Sequence, residues 1–270
     1  MQTVLITGAA GGIGSRLRRL LRGIYRDLRL SDLAPPADLA ADETFVAANL
    51  TDIAQVERAT AGVDGIVHLG GFSVEGPWEN ILQSNIIGCY NLFEAARRRR
   101  VERVVFASSN HVVGFYPRQR RIGTDAAVRP DSRYGASKAF GEALAALYAY
   151  KHGLRVTSIR IGNFGDLPAD RRRLSIWVSP ADLVQLIRIG LEHPDIRHEI
   201  FYGMSDNVRG WWDNAAAFRF GYRPQGRAEE HVAQALAADA KLPPDPIGDW
   251  YQGGPYCSDE FDGGIERSDV

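Results

Sequence analysis

Residues 3–14 read TVLITGAAGGIG, a β-branched apolar run that passes directly into a turn with regularly spaced glycines. The spacing is Gly-x-x-Gly-x-x-Gly, and a helical pattern follows at once. A strand, a glycine-rich turn and a helix in this order place backbone N–H groups where they can bind the pyrophosphate of a dinucleotide. We therefore predict that the cofactor contacts of this turn are Gly8, Gly11, Gly12, Ile13 and Gly14.

Outward from this turn, short apolar runs alternate with longer helical patterns, which is typical of a parallel sheet with crossover helices. The predicted strands are Thr3–Thr7, Leu28–Ser31, Thr44–Ala47, Gly65–Leu69, Arg103–Ala107, Arg155–Ile161 and Glu199–Tyr202. The predicted helices are Gly12–Arg22, Ile53–Ala61, Glu79–Arg99, Tyr134–Tyr150 and Pro180–Glu192. This order predicts an α/β fold with a Rossmann-type doubly wound parallel sheet.

The 270 residues are expected to form a single domain. Residues 1–162, completed by residues 180–202, are the predicted dinucleotide-binding core. After about Gly203 the sequence becomes rich in Gly, Pro, Trp and Asp. We expect residues 163–179 and 203–270 to form a small C-terminal lobe that covers the substrate at the carboxyl ends of the strands.

Composition excludes several classes of partner. A formal net charge of −1 argues against nucleic acid or an anionic membrane, and we interpret the Arg97–Arg100 run as the end of an amphipathic helix. No apolar stretch is long enough to span a bilayer. Cys89 and Cys257 suggest no disulfide framework, and no metal-ligand spacing is present. With no basic leader at the N-terminus, a cytoplasmic location is expected.

Asp32 ends the second predicted strand. A carboxylate there can accept hydrogen bonds from both hydroxyls of the adenosine ribose and would repel a 2′-phosphate, so NAD is favoured over NADP. The alternative is that Asp32 simply begins a loop, since Pro35 and Pro36 follow. Its position at the strand end favours the cofactor role.

Three further strand or helix positions are assigned to the cofactor. Asn49 and Leu50 end the third strand, where an amide could meet the adenine, whereas Asp52 is better explained as a helix N-cap. The run Leu69-Gly70-Gly71 ends the fourth strand, where small residues let the backbone lie against a ligand. Asn85 is expected to hydrogen-bond neighbouring backbone and so to support the site.

The catalytic candidates are Ser109, Tyr134 and Lys138. Tyr134 and Lys138 are separated by four residues, so they share one face of a helix. An ammonium and a positive nicotinamide both favour phenolate, which would let Tyr134 act as a base near neutral pH. Lys138 can also hold the nicotinamide ribose, and Ser109 can hydrogen-bond the substrate oxygen.

The alternative for this pair is a chance Tyr and Lys on an amphipathic helix. Lysine usage argues against it, because Lys138, Lys151 and Lys241 are the only lysines in a chain with 32 Lys and Arg residues. A compact ammonium acts differently from a planar guanidinium. The sequence therefore predicts an NAD-dependent dehydrogenase.

Together these motifs resemble the extended short-chain dehydrogenase/reductase superfamily, which includes NAD-dependent epimerases and dehydratases. The stretch Arg160–Asn163 resembles that group's next strand end and implies that Asn163 reaches the cofactor. The similarity is greatest to uronate dehydrogenases and is carried by His68–Glu75, Asn85–Gly88, Phe106–His111, Arg129–Asp131, Gly210–Asn214 and Tyr251–Gly254. The resemblance implies oxidation of C1 of a hexuronic acid, such as glucuronate or galacturonate, to the aldarolactone with NAD. We also expect a homo-oligomer.

The resemblance further implies the substrate contacts. An ungapped count from Arg160 to Trp177 places Arg172 on the family's carboxylate-binding arginine, and a guanidinium can bind a carboxylate through two hydrogen bonds. From the residues alone, Arg171–Arg173 is equally a solvated run. The sugar hydroxyls are implied to contact Ser73, Ser109, Asn110 and His111.

Other functions remain open. Asn163-Phe164 stands where uronate dehydrogenases often have Ser-Cys, and Phe201–Asn207 resembles a group that oxidises glucose 6-phosphate with NAD. Dehydratases of this superfamily need an acid pair after the serine to protonate the leaving hydroxyl. This chain has Asn110-His111 there, which argues against a dehydratase. An epimerase would need a larger C-terminal lobe for a nucleoside diphosphate. Non-catalytic NAD-sensing or scaffold proteins tend to lose the Tyr or the Lys, and both are present.

Overall fold

A seven-stranded sheet, parallel throughout, forms the centre of the chain, of which the computed structural model describes residues 1–264. The strand order is β3-β2-β1-β4-β5-β6-β9. The strands of this sheet are β1 Thr3–Thr7, β2 Asp27–Ser31, β3 Thr44–Phe45, β4 Gly65–His68, β5 Arg103–Ser109, β6 Arg155–Ile161 and β9 His198–Gly203. The predicted doubly wound sheet is confirmed, and only the third strand, at one edge of the sheet, is clearly shorter than predicted.

Helices cover both faces of the sheet. The α-helices are α1 Gly12–Leu21, α2 Ile53–Ala59, α3 Trp78–Ile81, α4 Gly88–Arg98, α5 Arg133–His152, α6 Arg173–Ile176, α7 Pro180–Glu192, α8 Ala215–Arg219, α9 Val232–Asp239, α10 Pro246–Trp250 and α11 Pro255–Ser258. Val4 and Ile6 pack into the cluster that contains Leu17 of α1. Leu5 points to the other face, into the cluster that contains Phe93 of α4. This alternation places a core on each side of β1.

The helix predicted at Glu79–Arg99 is interrupted. Between α3 and α4, residues Leu82–Ile87 form a π-helical turn. A π turn widens the helix and is frequent at functional sites. Here it contains Asn85, the one polar residue of this segment that was assigned to the cofactor site.

Polar side chains fix the ends of several helices. Asp52 accepts hydrogen bonds from the amides of Ala54 and Gln55, which confirms its interpretation as an N-cap. Ser132 caps α5 in the same way, by accepting from the Gly135 amide at 2.9 Å. A stable N-terminus for α5 matters because Tyr134 is the second residue of that helix.

The chain after β9 folds into short helices that the sequence did not predict. A small second sheet pairs β7 Asn163–Phe164 with β8 Trp177–Val178. The buried side chain of Gln252 accepts from Trp212 Nε1 and donates to the carbonyls of Pro117 and Arg120, so the C-terminal segment is tied to the core. Within residues 1–264, none of the helices combines the length and the apolar character needed to cross a membrane.

Candidate active site

A cavity of about 690 Å³ lies at the carboxyl ends of the strands, where β1 separates β2 from β4. Open α/β sheets bind ligands at such a switch point. Among the predicted site residues, those that line the cavity are Gly8, Gly11, Gly12, Ile13, Gly14, Asp32, Asn49, Leu50, Leu69, Gly70, Gly71, Ser73, Ser109, Asn110, His111, Tyr134 and Lys138. The chain thus brings the predicted catalytic residues and most of the predicted cofactor residues into one cleft.

The glycine-rich turn leaves both space and unpaired donors. Gly8 has a φ of +67°, and a Cβ atom there would lie 2.7 Å from the Gly70 nitrogen. Helix α1 has no side-chain cap, and the amides of Gly12, Ile13 and Gly14 donate to no acceptor in residues 1–264. Free N–H groups at a helix N-terminus bind anions. The turn therefore fits the pyrophosphate of a dinucleotide.

Asp32 lies at the end of β2, on the wall of the same cavity. Its two carboxylate oxygens accept hydrogen bonds from the Ala10 amide at 3.0 Å and the Leu33 amide at 2.8 Å. These bonds orient the carboxylate and leave further lone pairs on each oxygen. Its contact with a ribose remains a prediction.

At the other end of the cavity, Lys138 and Tyr134 lie side by side on α5. The Lys138 Nζ donates to the carbonyl of Ala107 at 2.9 Å and lies 5.5 Å from the centre of the Tyr134 ring. Burial raises the pKa of Tyr134 to about 12, against a smaller lowering effect of its hydrogen bond with Ser109. Burial also lowers the pKa of Lys138 to about 8. In the protein alone, burial therefore outweighs the expected stabilisation of the phenolate by the ammonium.

A buried ion pair lies behind these residues and was missed from the sequence. Glu142 follows Lys138 by one helical turn on α5. Its carboxylate accepts from Arg160 Nε at 2.9 Å, from Arg160 Nη2 at 2.8 Å and from Ser108 Oγ at 2.6 Å. The pair joins the ends of β5 and β6 to the helix with the catalytic candidates. The sequence does carry a signal for Glu142, because Tyr134, Lys138 and Glu142 recur at every fourth position of the predicted helix.

The imidazole of His111 is held by two residues that were also missed. Its Nδ1 lies 2.7 Å from Asp131 Oδ2, and its ring stacks on Tyr256 with the centroids 3.9 Å apart. The backbone amide of His111 donates to Ser109 Oγ at 3.3 Å. Asp131 belongs to the Arg129–Asp131 motif that resembles uronate dehydrogenases. Nothing in the local sequence indicates that Tyr256 lies at the cavity.

Arg172 is buried without an anionic partner. Its Nε donates to the carbonyl of Gln252 at 2.9 Å. The Asn110 amide bridges it to β6, with the nitrogen 3.1 Å from the Ile161 carbonyl oxygen and the oxygen 3.1 Å from Arg172 Nη2. Within the described part of the chain, no carboxylate lies within 4.0 Å of this guanidinium. Burial lowers the pKa of Arg172 to about 10.

The neighbouring arginines differ from Arg172. Arg171 is exposed and forms an ion pair with Asp239 at 3.1 Å. Arg173 forms an ion pair with Asp170. The Arg171–Arg173 run is therefore not a uniformly solvated patch, because its middle member is buried and lacks a carboxylate among residues 1–264.

Three predicted site residues lie outside the cavity wall: Asn85, Asn163 and Arg172. Asn85 accepts from the Phe72 amide at 2.7 Å and donates to the Phe72 carbonyl at 2.9 Å, so it supports the loop that carries Ser73. Asn163 lies in β7, between the cavity-lining Gly162 and Phe164. Arg172 is hydrogen-bonded to the lining residue Asn110.

The sequence and the fold place this chain among known proteins. Residues 4–193 match the model of the NAD dependent epimerase/dehydratase family. The chain is 45% identical to a uronate dehydrogenase of Pseudomonas putida, over 94% of this chain and 95% of that protein. A crystal structure of a mutant uronate dehydrogenase from Agrobacterium tumefaciens, complexed with NAD, is 42% identical, with a TM-score of 0.89 and coverage of 96% of this chain and 97% of that one.

A NAD-dependent glucose-6-phosphate dehydrogenase of Haloferax volcanii is less similar, at 36% identity over 88% of this chain and 98% of that protein. These comparisons confirm the resemblance drawn from the motifs. The chain belongs to the NAD dependent epimerase/dehydratase family and, within it, to the uronate dehydrogenases.

Proposed function

We propose that this chain oxidises C1 of a hexuronic acid, such as glucuronate or galacturonate, to the aldarolactone with NAD. The observation that carries this proposal is the buried guanidinium of Arg172, which lacks a carboxylate partner in residues 1–264. Asn110 connects it to the cavity that contains Tyr134. A substrate with an anionic group at one end and an oxidisable hydroxyl at the other fits this arrangement.

The residues that would hold NAD are spread along the cavity. The amides of the Gly8–Gly14 turn suit the pyrophosphate, Asp32 suits the adenosine ribose, and Lys138 suits the nicotinamide ribose. Asn49, Leu50 and the Leu69–Gly71 backbone line the intervening wall. When bound there, NAD supplies the hydride acceptor and a positive ring that favours a nearby phenolate.

Tyr134 is the proposed base for the proton of the C1 hydroxyl. Ser109 lies near the phenol, lowers its pKa and lines the cavity, so it can contact the reacting oxygen. The ammonium of Lys138 stabilises negative charge on the phenol oxygen. Because burial of the phenol opposes ionisation in the protein alone, we expect Tyr134 to become a base only in the loaded site.

Arg172 is proposed to bind the C6 carboxylate. A buried charge without a counter-ion is costly, and an incoming carboxylate would relieve that cost through charge-assisted hydrogen bonds. Ser73, Asn110 and His111 line the adjoining wall and are proposed to contact sugar hydroxyls. Residues 163–179 and 203–264, which supply Arg172 and Tyr256, are proposed to cover the substrate; residues 265–270 of the predicted lobe lie outside the described residues.

A sugar phosphate is the second candidate, and the charges at the site count against it. A phosphate monoester carries close to two negative charges at neutral pH. Arg171 and Arg173 are already paired with Asp239 and Asp170, so Arg172 offers a single buried positive charge. One guanidinium matches one carboxylate better than it matches a phosphate dianion.

We also propose that the chain acts in the cytoplasm as a homo-oligomer. Helices α4 and α5, which pack against each other, leave Tyr90, Leu147 and Tyr150 about half exposed. Apolar surface on adjacent helices supports burial against a second copy. Light scattering on the purified chain measures the subunit number, and a monomer at micromolar concentration would contradict this proposal.

The test of the proposed function is kcat/KM with NAD for glucuronate, galacturonate, glucose and glucose 6-phosphate. We expect the wild type to prefer the uronates. Arg172→Ala should disfavour them by about 2–5 kcal/mol, or about 30-fold or more, and should change glucose turnover little. Arg171→Ala is the matched control, because that side chain is exposed and paired, and it should leave uronate turnover intact.

Preference of the wild type for glucose 6-phosphate would refute the uronate assignment. If Arg172→Ala and Arg171→Ala change uronate turnover equally, the carboxylate-binding role of Arg172 is refuted while the uronate assignment stands.

A further inference from the structure

Asp131 is a buried carboxylate that the proposed reaction does not use. It lies in the loop before α5, and its side chain has no exposed surface. One oxygen, Oδ1, accepts from Ser132 Oγ at 2.7 Å, and the other, Oδ2, lies 2.7 Å from His111 Nδ1. A carboxylate can only accept hydrogen bonds, so this short contact requires the proton to be on Nδ1.

The ring of His111 has little freedom to adopt another orientation. It stacks on Tyr256 with an interplanar angle of 17°, and its centre lies 5.9 Å from that of Tyr134. His111 lines the cavity while its Nδ1 is turned to Asp131. Its Nε2 has no hydrogen-bond partner in residues 1–264.

We propose that Asp131 is a positioning residue that fixes His111 in the Nδ1-protonated tautomer, so that the unprotonated Nε2 accepts a hydrogen bond from a substrate hydroxyl. The identity of that hydroxyl donor as part of a uronate rests on the proposed function. The tautomer itself rests only on the geometry around Asp131. Because Nε2 of His111 then accepts a hydrogen bond, the site favours substrates with a hydroxyl group that can donate to it.

The charged and titratable groups around this pair come from several elements. Tyr134 of α5 and Tyr256 of α11 face the His111 ring. Cys257 of α11 lies 4.0 Å from Asp131 Oδ2, and the charge of Arg172 also acts on this region. Asp131 is the nearest anion to His111. We therefore expect its replacement to affect the position of the proton on the His111 ring more than any other change nearby.

The expected effect of removing Asp131 follows from this arrangement. Asp131→Asn replaces a group that can only accept by an amide, which can either accept from Nδ1 or donate to it. The variant should therefore lose the exclusive Nδ1–H tautomer, and the fraction of His111 with its proton on Nε2 should rise.

The experiment combines spectroscopy with kinetics. Long-range ¹H–¹⁵N correlation spectra of the resting protein report which ring nitrogen carries the proton, and His111→Asn identifies the His111 signals among the six histidines. We expect Nδ1–H in the wild type. In Asp131→Asn, the Nδ1–H signal should weaken in favour of Nε2–H, and kcat/KM for the uronate should fall with it.

Asn is the suitable replacement because Gly114, Gly135 and Gly253 pack closely against the carboxylate and leave no room for a larger side chain. Asp182→Asn is the matched control. Asp182 is equally buried and accepts from Ser205 Oγ and the Gly226 amide, far along the chain in α7. It should leave the His111 tautomer unchanged, even if it lowers stability.

A wild-type His111 with its proton on Nε2 would overturn the proposal, and this measurement needs no substrate. Equal losses of activity in Asp131→Asn and Asp182→Asn, with the His111 tautomer unchanged in both, would show that Asp131 is only structural. If the tautomer is as expected but uronates are not oxidised, the proposed function fails and the assignment of the tautomer stands.

Discussion

The ammonium of Lys138 lies 5.5 Å from the centre of the Tyr134 ring while it donates a hydrogen bond to the backbone of strand β5. Burial drives the acidities of the two groups apart, since the pKa of Tyr134 rises to about 12 and that of Lys138 falls to about 8. The phenol of the resting protein is therefore protonated at neutral pH. This arrangement makes the role of each group separately testable.

Tyr134→Phe removes only the phenol oxygen. We expect NAD to bind as before and kcat for a uronate to fall by about 10²–10⁴-fold or more, because the variant lacks the proposed base. Tyr148→Phe is the control, since Tyr148 lies on the same helix and donates to Glu94 away from the cavity. Steady-state kinetics and NAD titration measure both. Substantial activity in Tyr134→Phe would mean that another group takes the proton.

Lys138→Arg keeps a positive charge but changes its shape. A guanidinium cannot reproduce the compact donor at the Ala107 carbonyl, so we expect a strong loss of kcat. The wild type loses its ammonium as the pH rises through about 8, whereas Arg stays charged, so the pH optimum of the variant should move upwards. Lys151→Arg, at the exposed end of the same helix, should match the wild type. An unchanged optimum in Lys138→Arg would contradict the assigned role.

Asp32→Ala tests the choice of cofactor. The wild type should use NAD better than NADP, because the oriented carboxylate repels a 2′-phosphate. In the variant, kcat/KM with NAD should fall, and the ratio of kcat/KM with NAD to kcat/KM with NADP should become smaller. Asp27→Ala, at the exposed start of the same strand, should leave the ratio of kcat/KM values unchanged. A wild type that uses NADP equally well would disprove the role of Asp32.

Glu142→Gln should destabilise the fold. It leaves Arg160 buried without its counter-ion, and the loss of one partner of such a pair costs about 3–5 kcal/mol. The exposed pair of Arg209 with Glu229 is the comparison, because Glu229→Gln should cost less than about 1 kcal/mol. Denaturant unfolding curves measure both free energies. If Glu142→Gln lowers the free energy of unfolding as little as Glu229→Gln does, the buried pair contributes little to stability.

Local pattern was enough for the sheet and for most of the cavity wall. The Gly8–Gly14 turn, the strand ends and the four-residue spacing of Tyr134 and Lys138 are written in consecutive residues, and each strand end meets the others because parallel strands align. The buried state of Arg172 was not predictable in this way. It depends on a carbonyl 80 residues away, at Gln252.

The same limit explains the missed residues. Tyr256 stacks on His111 across 145 positions of the chain, and Glu142 meets Arg160 from a different element. The short helices after β9 carry too few residues for a periodic pattern, and the ends of several are set by single caps such as Asp245. Contacts of this kind come from tertiary packing, which periodicity does not encode.

The group proposed to select the substrate and the groups proposed to perform the chemistry are carried by different kinds of backbone. Tyr134 and Lys138 are fixed in a 20-residue helix, whereas Arg172 precedes a four-residue helix and depends on the C-terminal segment for its position. Mutations in these irregular segments can therefore alter which sugars are accepted while the proton-transfer pair stays in place. Such a layout would let natural or laboratory selection change the range of accepted sugars through substitutions at the periphery of the enzyme.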